Sequence, residues 1–174
     1  MRVVVSSDKQ EIKGASERFD LREDPRAISR IDPARQHPAL SGFLLNLNSE
    51  ESPFSTLGCK VWSSIQSAEA EPHVLASRID LMMHQDGGFH GQSQYEELAR
   101  RLADLLEREP GDALQAELYV AHIALADLHQ RYCLRLVLSA SGRGEQQARL
   151  RWTLGIARLQ QALLFLARAI RQNR

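Results

Sequence analysis

Between Glu145 and Asn173 the residues Trp152, Ile156, Leu159, Leu163, Leu166 and Ile170 recur in steps of four, three, four, three and four. That heptad spacing lies along one face of an α-helix, and a period-two strand cannot produce it. Good helix formers such as Ala157, Gln160, Ala162 and Ala167 fill the intervening positions. Leu150, Leu154, Leu164 and Phe165 fall on other faces, so the predicted helix is apolar on more than one side and calls for a partner beyond its own core. Arg158, Gln160, Gln161 and Arg168 break the run well short of the ~20 apolar residues of a membrane span. With no signal peptide either, the expectation is a cytoplasmic protein that does not enter a membrane.

The rest of the chain is read around this helix. Leu114, Leu118, Ala121, Leu125, Leu128 and Tyr132 repeat at helical spacing, and no proline follows Pro110. The reading is a second long helix from Asp112 to about Ser139, joined to the last through Ser141–Gly144 as an antiparallel hairpin. Ser52-Pro53 reads as a helix start, with Phe54, Leu57, Val61, Ile65 and Ala68 inward and Pro72 as the stop. His73–His84 reads as a further helical segment with Leu75, Ile79 and Met82 inward. Ser93-Gln94-Tyr95-Glu96 reads as a capping box opening a helix to about Arg108. Residues 1–52 differ: Arg2–Ser6, Arg18–Leu21 and Phe43–Leu47 read as short strands between Pro25, Pro33 and Pro38, with a hairpin over Val3–Leu21. The expected fold is mainly α, an antiparallel helical bundle over 53–174 built on a long C-terminal helical hairpin, with a small β-containing arm over 1–52.

Net charge is zero, but its distribution is uneven. Residues 93–129 carry three basic and eight acidic groups; residues 130–174 carry nine arginines against Glu145 alone. Neutralisation between neighbouring helices accounts for this pattern, and so does an external polyanion. For nucleic acid the candidates are Arg143, Arg149, Arg151 and Arg158 near a helix entrance, and Arg2, Lys9 and Lys13 around the first strand. A strand pair formed across a dimer has the shape to enter a major groove; the plainer alternatives are a solvated helix face and an edge strand.

Catalytic and metal signatures are weak. His84, Asp86 and His90 cluster around Gly87-Gly88 without a fourth ligand at recognisable spacing. On a helix, His129 and Cys133 would lie one turn apart, with His122 about 10 Å further along the axis. Glu117 and His122 do not form the Glu-x-x-His pattern of carboxylate bundles. There is no Gly-x-Ser-x-Gly, phosphate loop or dinucleotide fingerprint. The expectation is a non-enzymatic chain with no cofactor or metal, and with Cys59 and Cys133 as reduced thiols.

The strand Arg2–Ser6, the segment Phe54–Glu69 leading to Pro72-His73, the stretch Leu118–Ala140 containing Asp127-Leu128-His129-Gln130-Arg131, and the final basic helix form a layout. It resembles a family of integrative conjugative element and plasmid proteins that includes AcaB-type transcriptional regulators. The resemblance implies a role in DNA transfer or its control through a strand-based DNA-binding element. The expected function is therefore a DNA-associated regulatory or accessory protein of a bacterial mobile element, acting as a homodimer on double-stranded DNA. The alternative is a protein-interaction module, a secretion or assembly accessory factor, with no nucleic-acid role.

Overall fold

The computed structural model describes residues 1–6, the backbone of 11–12, and residues 20–66, 70–83, 91–108, 113–123 and 132–172. The elements are β1 (Arg2–Ser6), β2 (Glu11–Ile12), a 3-10 helix (Pro25–Arg30), α1 (Asp32–Gln36), α2 (Pro38–Leu47), β3 (Phe54–Ile65), β4 (His73–Met83), α3 (Gln92–Glu107), β5 (Leu114–Ile123), β6 (Tyr132–Gly142) and α4 (Glu145–Gln172). The fold is thus α/β, and the helical bundle is overturned. Five strands form a mixed sheet in the order β1-β5-β6-β4-β3, and the short β2 also pairs with β5.

Three expected helices are strands for one physical reason. Leu114 and Leu118 are four apart, as are Leu134 and Leu138. Four is one turn of a helix and also two repeats of a strand, so these pairs fit both periods. The residues between them decide. Ala116 and Leu136 are buried, whereas Gln115 is exposed and Arg135, Val137 and Ser139 are only half-buried. β4 alternates likewise, with Ile79, Leu81 and Met83 turned to the helix-covered face and Arg78, Asp80 and Met82 to the other. In β3 a bulge between Thr56 and Gly58 shifts the alternation and hides it.

The N-terminal third departs in the other direction. Pro25, Pro33 and Pro38 each sit in the first turn of a helix, where a missing N–H costs nothing. Leu40, Phe43, Leu44 and Leu47 are the buried face of α2, so Phe43–Leu47 is helical. Among the described residues β1 pairs with no N-terminal strand; it runs parallel to β5, with Arg2 opposite Gln115, and of the expected strand Arg18–Leu21 the residues Arg18 and Phe19 lie outside the described residues while Leu21 is in a turn. α3 starts at Gln92, capped at Gly91 by the Gln94 side chain, two residues before the expected box.

The core lies between the sheet and its helices. α4 crosses β6 and β4, and α3 crosses β1 and β5. Trp152, Ile156, Leu159, Leu163 and Leu166 of α4 are buried, so the heptad that opened the sequence reading faces the sheet. Trp152 is fully buried; its Nε1 donates to Ser77 Oγ of β4 at 3.0 Å, and the His37 ring meets it edge-on at 5.1 Å. Tyr95 Oη accepts the Met83 N–H at 3.0 Å and ties the end of β4 to α3. Gly155 lets α4 approach the sheet, since a Cβ there would lie 2.9 Å from Leu114 Cδ2 and 3.0 Å from Leu138 Cδ2. The chain from β3 onward is two successive strand–strand–helix units, β3-β4-α3 and β5-β6-α4, whose second strands β4 and β6 pair antiparallel at the centre.

Candidate functional site

The first residues of β3 are sealed along their outer edge. The Arg22 guanidinium donates to Ser52 O at 2.5 Å and Phe54 O at 3.2 Å. Asn48, buried at the end of α2, accepts the Thr56 N–H at 3.0 Å and donates to Thr56 Oγ1 at 2.9 Å. Among the described residues these seals stop past the bulge. Gln66 N–H donates to Pro72 O at 2.7 Å and closes the β3–β4 ladder. An antiparallel ladder alternates, so the N–H and C=O groups of Ile65, Ser63 and Val61 point away from β4 toward the open edge.

A groove of about 860 Å³ runs along this edge. Val61–Ile65 form one wall, Asp32 and Pro33 of α1 with His37 just after it form another, and Glu145, Ala148 and Arg149 of α4 line its end. Trp62 is 39% exposed and Ile65 71% exposed. Proteins ordinarily blunt such an edge with charge, proline or a covering element; over Val61–Ile65 there is neither charge nor proline. At the groove end Arg149 pairs with Glu145 at 3.0 Å. The His37 pKa is held below its ordinary value, first by burial and then by the Arg149 charge, so neutral imidazole is favoured there.

The predicted basic residues do not share a face. Arg2 is exposed on β1, at the opposite side of the sheet from β3. Arg143 is exposed in the turn before α4, and its backbone N–H donates to Gln147 Oε1 at 2.8 Å. Arg149 lines the groove. Arg151 turns the other way: it donates to Glu71 at 2.6 Å and to Ser141 O at 2.8 Å. That contact, with burial opposing and the Ser141 hydroxyl assisting, holds the Glu71 carboxyl below its ordinary range. Arg158 is half-buried on the flank of α4. Lys9, Lys13, His129 and the His84, Asp86, His90 cluster lie outside the described residues. His122 and Cys133 sit on neighbouring strands; His122 packs edge-on against Tyr132 at 5.6 Å, and Cys133 is buried opposite Ala121. Among the described residues no three His, Cys, Asp or Glu side chains converge as a metal site would require.

Two features escaped the sequence reading. One is an ion cluster on the sheet face away from the helices: Arg135 holds Asp80 with two bonds, 2.7 Å and 3.2 Å, and Arg78 Nε lies 3.6 Å from the same carboxylate. Burial alone would weigh against a charged Arg135, but the hydrogen bond and charge of Asp80 reverse that and raise its pKa. The other is the groove itself. Its only trace in the sequence is the uncharged run Val61-Trp62-Ser63-Ser64-Ile65, recognisable as an edge once β3 is known to be a strand. Among the described residues no helix is long and apolar enough to cross a membrane. No family model, no curated protein and no solved structure matches the chain.

Proposed function

We propose that the protein is a non-enzymatic interaction module that receives an extended segment of a partner protein as an added strand along β3. The observation that carries this reading is the groove beside Val61–Ile65, where open backbone groups of an edge strand stand opposite the wall of α1. Strand addition draws its affinity from main-chain hydrogen bonds and its selectivity from pockets for alternate side chains. Here one set of side chains would meet His37 and Pro33 and the other would pass over Trp62. An accessory role in assembly or secretion fits such a site better than a DNA-reading role, because Arg149 and Arg151 already hold Glu145 and Glu71 of their own chain. A cytoplasmic location belongs to the same proposal, as Cys59 and Cys133 are free thiols.

The test uses random heptapeptides displayed on phage, panned against the wild type and against Ser63→Pro. Proline removes an edge N–H without touching the β4 ladder. Peptides enriched on the wild type and lost on Ser63→Pro, with quenching or shifting of Trp62 emission, are the expected result. No enrichment, or equal binding to Ser63→Pro, overturns the reading. Duplex DNA binding that falls steeply with salt and is lost on Arg149→Gln would replace it with the DNA-associated one.

A further inference from the structure

α4 carries a second heptad on the side away from the sheet. Leu150, Leu154, Ala157, Gln161, Leu164 and Arg168 step by four, three, four, three and four, and all six are exposed. Leu150 is 62% exposed, Leu154 51%, Leu164 41% and the flanking Phe165 59%. A helix that only covers a core needs one apolar stripe. A second stripe at 3.5-residue spacing is the seam of a helix pair, and its small and polar members, Ala157 and Gln161, sit at its middle.

We propose that this seam is covered by a second copy of the chain, the two α4 helices packing antiparallel about a twofold axis near Ala157 and Gln161. The helix dipoles select the orientation. Antiparallel packing opposes them, and it sets Arg168 against Leu150, whereas parallel packing would stack Arg168 on Arg168. With Leu154 opposite the partner's Leu164, the register also brings Ala157 against Gln161 and Leu150 against the stem of Arg168. Area selects the occupant. The four large side chains expose on the order of 400 Å² per copy, the size at which an apolar patch marks an interaction site. Doubled by symmetry and joined by the flanking residues, this approaches the roughly 1,200 Å² at which stable interfaces begin.

The experiment is the mass of the full chain in solution by light scattering, with cross-linking for orientation. The wild type is expected as a dimer at 50–100 μM (roughly ten to a hundred times a micromolar Kd). Leu154→Glu and Leu164→Lys are expected as monomers with unchanged circular dichroism. In the antiparallel register two copies of Leu150 lie about 27 Å apart along the axis. A short bis-maleimide should therefore join a mixture of Leu150→Cys and Arg168→Cys but not Leu150→Cys to itself. A monomeric wild type, a dimer that survives both seam variants, or efficient self-linking of Leu150→Cys overturns the proposal. None of these readouts depends on the β3 groove, so their failure is separable from that of the peptide-binding reading.

Discussion

Replacing Asp80 with asparagine isolates what the ion cluster on the outer sheet face contributes. The Asp80 side chain is 4% exposed and that of Arg135 11%, and two short bonds join them. Arg78 Nε is buried without a hydrogen-bond partner, so the cluster has two cations for one carboxylate. Asp80→Asn keeps the volume and removes the anion, stranding Arg135. Breaking one side of a buried pair costs about 3–5 kcal/mol. At ~2–4 °C per kcal/mol for a domain of this size, that is a fall in Tm of roughly 10 °C. Arg135→Met should cost less, because Arg78 Nε at 3.6 Å still faces the Asp80 carboxylate. The double variant Asp80→Asn/Arg135→Met loses both charges and should be at least ~2 kcal/mol more stable than the sum of the single effects. Urea denaturation followed by circular dichroism measures all four corners at constant m. Strict additivity, or single variants within ~1 kcal/mol of wild type, would refute the claim that the pair is mutually dependent.

Two further outcomes follow from close packing and burial. A Cβ at Gly142 would lie 2.5 Å from Ala148 N and 3.0 Å from Gln147 C, backbone that cannot yield without moving α4; Gly142→Ala should cost about 3 kcal/mol in urea midpoint experiments, whereas Gly155→Ala, which meets only leucine methyl groups and gains helix propensity, should cost less. The Cys59 thiol is pushed up to about 11, first by burial and then by the Asp80 charge. Between the ordinary thiol value near 9 and that figure the unfolded chain binds fewer protons than the native one, so stability should fall as pH rises; comparing urea midpoints at pH 8 and pH 10.5 should show a larger loss in wild type than in Cys59→Ala, which keeps only the buried Cys133 thiol, likewise pushed up by burial.

The last helix was legible because its alternating steps of four and three, Trp152-Ile156-Leu159-Leu163-Leu166-Ile170, run unbroken, and α4 forms over Glu145–Gln172. Tyr95, Leu98 and Leu102 mark α3 in the same way. Where leucines fall four apart, as in β5 and β6, a search for helical steps accepts a strand. The intervening Ala116 and Leu136 carried the contrary signal. The candidate site was less legible because its parts are brought together by pairing over long separations. Arg149 was picked out as basic, but His37, Asp32 and the edge of β3 converge on it only after the sheet has formed. Arg151 looked available in sequence because its partner Glu71 lies eighty residues earlier.

The parallel pairing of β1 with β5 sets an order of assembly. The β3–β4 and β5–β6 hairpins join neighbouring strands and can close early, whereas β1 must wait for β5 across nearly the whole intervening chain. Until it docks, the sheet is open at both ends and the Gln115–Tyr119 edge is as available to another chain as Val61–Ile65. β1 therefore arrives late, and on docking it moves the margin of the sheet from Gln115–Tyr119 to Arg2–Ser6. The two finished margins differ in kind, since β3 ends on the uncharged run Val61–Ile65 whereas β1 begins with the exposed Arg2.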